Sequence, residues 1–140
     1  MKNIDQIKKE LISNHCSNFE LIEKREFTRA LNMIFDLEKM LYLIVGSIDN
    51  EPWLLLLTDQ RIIMIQKETE MGSFIQQYGL EEVNDLKLDS FGKIAALTFI
   101  FENKSLIKVD YLSLKQANEF GRLLVEAIEN WTNKLDQFLV

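Results

Sequence analysis

One cysteine, one histidine and one proline are all that 140 residues hold of those three types. A lone thiol, Cys16, excludes an intrachain disulfide framework and fits a reducing compartment. With His15 the single imidazole, no second histidine exists to complete a metal set. Apolar runs are short: none approaches the ~18 residues that a bilayer-spanning helix needs. Residues 1–15, MKNIDQIKKELISNH, interleave charges where a secretion signal needs an unbroken apolar core. The expectation is a cytoplasmic protein. Concentrated positive charge is missing too. The formal net charge of −6 divides into −1 over residues 1–38, −4 over 39–112 and −1 over 113–140, and acids interrupt nearly every base. A phosphate-binding face needs clustered Lys and Arg, so nucleic acid is not an expected partner. No repeat, linker or low-complexity tract divides the chain.

What is present is an ordinary globular composition, 47% hydrophobic and 27% charged, in a length that suits one domain. The organising stretch is Trp53 to Gln66, WLLLLTDQRIIMIQ. Two apolar runs rich in strand formers meet at Asp59-Gln60, which reads as a β-hairpin. Leu54 and Leu56 point to one face and Leu55 and Leu57 to the other, because side chains alternate along a strand. Both faces are therefore apolar and something must cover the second.

Around that hairpin the chain reads in order. Asn3 and Gln6 make a capping pair, and Ile4, Ile7, Leu11 and Ile12 share one stripe of a helix ending near Ser13. Asn14 to Asn18 breaks it. A second helical pattern follows through Phe19, Ile22, Phe27, Ala30, Leu31, Ile34 and Phe35, clearest from Thr28 to Asp36. Strands are expected over Met40–Val45, the two runs of the hairpin, Gly72–Tyr78, Val83–Leu88, Ile94–Phe101 and Leu106–Val109. Pro52 falls at a strand start, where a missing amide costs least. Ser113 and Gln116 have capping-box spacing for a helix from Leu114 to Gln137. Ala117, Gly121, Leu124, Ile128, Trp131, Leu135 and Phe138 form its apolar seam.

The stretch LTDQRIIMI after an apolar strand, the later Gly72, the run YGLEEVNDLKLDSFGKIAALTFIF and the closing amphipathic helix together resemble the bacterial pleckstrin-homology-like domains, the YokE-like branch in particular. The resemblance covers about Lys39 to Asn130. It implies an α+β fold: a seven-stranded antiparallel barrel or sandwich capped by the long C-terminal helix. Residues 39–140 would form that domain, and residues 1–38 a helical extension packed on it to cover the second hairpin face. The resemblance implies no enzyme activity, and with it no cofactor.

Candidate chemistry is sparse. His15 and Cys16 suggest a thiol nucleophile, but neighbours in sequence do not face each other on a helix or strand, and an interhelical loop is the simpler reading. Glu81, Glu82, Asp85 and Asp89 lack the glycine-bearing alternation of a calcium loop and read as a solvated face. Arg61, carried over from the family motif, reads first as a bridge to a nearby acid and second as a ligand contact. In phosphoinositide-binding members the bases lie around the connection of the first two strands; here that connection is Ser47 to Glu51, with two acids and no base, so headgroup binding is not expected. The expected function is a non-catalytic interaction module working through a protein partner or itself. Its candidate contact residues are Trp53, Leu55, Arg61 and Ile63 on the hairpin and Trp131, Leu135 and Phe138 on the helix, which has the length and seam for a homodimer. The alternative is a carrier holding a small apolar ligand or lipid inside the sheet.

Overall fold

In the computed structural model the described residues are 4–13, 34, 37–66 and 74–138, with the side chains of Ile4, Ser13 and Phe138 outside that description. The order is α1 (Ile4–Ser13), β1 (Met40–Ile48), β2 (Glu51–Thr58), β3 (Arg61–Gln66), β4 (Ile75–Gly79), a 3-10 turn (Leu80–Glu82), β5 (Val83–Phe91), β6 (Ile94–Phe101), β7 (Leu106–Ser113) and α2 (Leu114–Phe138). The seven strands form one antiparallel sheet in the order β4-β3-β2-β1-β7-β6-β5, curled into a half-barrel, with α2 packed against β1, β5, β6 and β7.

Each connection has a local cause. Asp49 and Asn50 both take positive φ, 51° and 65°, the mirror-image turn whose twist suits two strands. Gly92, at φ 64°, opens the turn between β5 and β6, where a left-handed first residue favours glycine. Between β1 and β7, which share the single pair Ser47 and Asp110, a Cβ on Gly46 would sit 2.3 Å from Val109 Cγ1. Bare backbone is what lets the two halves of the sheet close up there. The Ser113 hydroxyl accepts the Gln116 amide at 3.1 Å and starts α2, as the S-x-x-Q spacing anticipates.

The hairpin is apolar on both faces, and both faces are covered. Leu54 to Leu57 and Ile62 to Ile65 are all buried. Ile7 and Leu11 of α1 are buried in the same core, with Ile34. Helix α1 lies against β1, where the Glu10 carboxylate accepts the Met40 amide at 2.9 Å. Inside the sheet, Phe120 of α2 meets Tyr42 and Phe99 edge-on at centroid distances of 6.4 and 6.0 Å, and Tyr78 stacks on Phe101 at 4.2 Å. Such pairs add about 0.5–1.5 kcal/mol beyond their burial.

Several sequence boundaries shift. Strand β1 continues to Ile48, β5 to Phe91 and β7 to Ser113, each three or four residues longer than the apolar runs suggest, because pairing carries polar residues along. Strand β4 begins at Ile75 and ends at Gly79. The second helical pattern apart from Ile34, the Asn3 cap, His15, Cys16 and Gly72 lie outside the described residues.

Candidate functional site

The Leu-Thr-Asp-Gln-Arg stretch builds a polar knot. Glu38 and Thr58 are fully buried. Arg61 grips Glu38 with two parallel bonds, Nε to Oε2 at 2.8 Å and Nη2 to Oε1 at 2.9 Å. Its Nη1 donates to Gln77 Oε1 on β4 at 2.5 Å. Thr58 donates its hydroxyl to Glu38 at 2.6 Å and accepts the amides of Gln60 and Arg61 at 3.1 and 3.0 Å. Asp59 accepts the Lys39 amide at 3.0 Å, and the Asp59 amide returns a bond to the Lys39 carbonyl. A carboxylate in an apolar core is costly unless paired, and a planar guanidinium fork is the group that pairs it best. Arg61 therefore bridges to an acid, and its hydrogen-bonding edge is turned inward.

The other expected contact residues also face inward. Trp53, Leu55 and Ile63 are buried within the chain, so the surface expected on the hairpin is absorbed by the core. Trp131 is half-buried against that core and donates Nε1–H to Glu81 Oε2 at 2.7 Å. Strands β1 and β5 run to nine residues, and the 3-10 turn meets α2. Trp131 thus finds a surface at the β4–β5 connection. Leu135 is half-buried, and the Phe138 side chain lies outside the described residues.

The acid cluster is dispersed into structural work. Glu81 holds Trp131, Glu82 accepts the Gly79 amide at 2.6 Å and Asp85 accepts the Leu86 amide at 2.8 Å. Among the described residues no three His, Cys, Asp or Glu side chains converge on a metal position. The polar cleft beside the β1–β2 turn, about 600 Å³, is lined by Asp49, Glu51, Asp110 and Lys108, with Lys108 3.7 Å from Asp110. Burial, then the nearby Glu82 carboxylate, pushes the Tyr78 hydroxyl above the usual tyrosine range.

Among the exposed apolar residues, which also include Ile12, Leu37, Phe74 and Leu106, three meet at one end of the β5–β7 sheet. Phe91 is 91% exposed, Tyr111 73% and Ile94 56%, and all three ring one shallow depression of about 330 Å³ with Ala95, Ala96 and Asp110. Tyr111 has φ 60°. The register jumps there: Ala95 faces Leu112 and Leu97 faces Val109, so Asp110 and Tyr111 together oppose Ala96. That is a β-bulge, which re-aims a side chain. A bulky residue in the left-handed region costs about 1–3 kcal/mol, and such strain collects at functional surfaces. None of these three residues was singled out by the sequence pattern. A bulge leaves no periodic signal.

Among the described residues no helix is long and apolar enough to cross a membrane. No curated protein matches the chain. Solved structures that share its fold include a DUF1696-family protein with a pleckstrin-homology domain from Shewanella loihica, at 14% identity and TM-score 0.52, covering 82% of this chain and 92% of that one. A pleckstrin-homology domain from Shewanella amazonensis has 13% identity and TM-score 0.50 over 72% and 93%. The DH/PH region of p115-RhoGEF has 8% identity and TM-score 0.52, covering 89% of this chain and 41% of that one. At these identities the likeness is one of fold. The family model for the bacterial PH domain matches residues 34–126, from just before Glu38 into α2 and so across the polar knot and all seven strands, and the chain belongs to the bacterial PH domain family.

Proposed function

We propose that this chain is a non-catalytic module that works by protein contact, with the aromatic end of Phe91, Ile94 and Tyr111 as its contact surface. The observation that carries the reading is the exposure of two aromatics and an isoleucine around one depression, one of them held there at a backbone cost. Exposed apolar clusters of this kind mark protein contact sites. Reading the chain as a carrier has less support, since Tyr42, Phe99, Phe101 and Phe120 fill the middle of the sheet and the apolar cleft of about 640 Å³ between β5 and α2 is open to solvent along its edge. The acids lining the β1–β2 cleft support leaving phosphoinositide headgroups and nucleic acid outside the reading. A cytoplasmic setting, argued from the single cysteine, and a YokE-like placement, argued from the Leu57–Ile65 stretch, belong to the same proposal.

The test is a Phe91→Ser/Tyr111→Ser double variant. Both residues are mostly in water, so its melting temperature should stay close to that of the wild type. The wild type should associate with itself in sedimentation, or hold a partner in a native extract, and the variant should lose that association. Equal behaviour of the two proteins would contradict the proposed surface.

A further inference from the structure

Strand β5 ends the sheet and pairs with β6 alone among the described residues. The hairpin turns through Gly92 and Lys93, so the closing pair Phe91 and Ile94 exchanges main-chain bonds, and bonded pairs recur at alternate residues back toward Asp85. Leu86, Leu88 and Ser90 accordingly turn their N–H and C=O groups away from β6. The Leu86 amide shows this directly, donating to the Asp85 carboxylate. An edge nine residues long with outward main-chain groups is a template for another strand.

Alongside that edge runs a cleft of about 640 Å³ between β5 and α2. Its apolar lining includes Leu86, Leu88, Leu97 and Val125. Gly121 of α2 keeps it open, since a Cβ there would meet only Leu86 Cδ2, at 3.4 Å. The rim is acidic. Asp85, Glu126 and Glu129 face one base, Arg122, whose guanidinium is drawn to Glu119 at 2.9 Å and Glu126 at 3.4 Å.

We propose that β5 and this cleft take an extended basic peptide strand from a partner protein. The strand adds to the β5 edge, sets alternate apolar side chains into the cleft and, because side chains alternate along a strand, brings Lys or Arg on its other face to Asp85 and Asp89. Main-chain pairing supplies affinity and the alternate side chains supply choice. Charge decides between occupants. A second copy offering its own β5 would bring Asp85 and Asp89 against the same acids, and like charges in register repel. This surface meets the aromatic end only at the last residues of β5, and the inference goes beyond that reading.

The probe is a synthetic peptide of the length of β5, 9 residues, alternating valine with lysine, titrated into the full chain and followed by amide NMR. Shifts should fall on residues 85–90 and 117–129, and exchange of the Leu88 and Ser90 amides should slow by about tenfold or more as they gain partners. Replacing every lysine of the peptide with glutamate, or Gly121→Leu in the protein, should weaken binding by about tenfold or more. A Tyr111→Ser protein, altered on β7 and not on β5, should bind the peptide as the wild type does, which separates failure of this inference from failure of the aromatic-end reading. Absence of binding at millimolar peptide, shifts elsewhere, unchanged Leu88 and Ser90 exchange, or equal binding of the glutamate peptide would each overturn it.

Discussion

Arg61 is the residue on which the sequence motif and the structure converge. Its fork saturates Glu38, and Glu38 sits at 0% exposure. Truncating the arginine strands a buried carboxylate, so Arg61→Ala should cost about 3–5 kcal/mol in urea unfolding. Arg61→Lys should recover only part of that, because an ammonium cannot make two parallel bonds. Either substitution leaving stability unchanged would show that the knot is not needed for folding. That Arg61 would bridge to an acid was legible from the sequence. That the acid would be Glu38 was not, since the pair is joined across 23 positions and nothing local in the chain marks it. Tyr78 gives a second test at this scale. Its folded-state pKa is raised by burial first and by Glu82 second. The stability it contributes is therefore complete below the unfolded value near 10.0 and is lost as pH rises through the folded value, where the unfolded chain binds fewer protons. Tyr78→Phe should flatten that part of the alkaline unfolding curve relative to the wild type, while an identical slope in both proteins would place the titration elsewhere.

At the scale of elements, regular periodicity made the strands, the α2 start and the doubly apolar hairpin readable. Strand ends were less so, because Ser47, Asp89 and Ser113 extend strands through pairing and carry no apolar signal. The role of α1 follows from the same hairpin. Ile7 and Leu11 have no exposed surface left, and each buried aliphatic side chain of that size contributes about 1.5–3 kcal/mol. Deleting residues 1–36 should thus lower the melting temperature sharply or drive aggregation, measured by calorimetry and light scattering. A truncated protein as heat-resistant as the full chain would mean that the extension is dispensable to the core. The contact that Trp131 makes within the chain was not legible for a definite reason. Trp131 does need a partner, but the 3-10 turn that supplies Glu81 is a three-residue element with no pattern of its own in the sequence.

For the whole molecule, the hairpin's apolar excess goes to the core, and two aromatics and an isoleucine are left in water around one depression at the β5–β7 end. Contact through that end is the central claim. Hydroxyl-radical footprinting of the protein, alone over a concentration series and within a native extract, tests it most directly. Oxidation of Phe91 and Tyr111 should be high in the dilute protein and fall as association sets in, while Trp53 and Met64, already buried, stay protected throughout. Association that leaves Phe91 and Tyr111 as reactive as in the dilute protein would contradict the account.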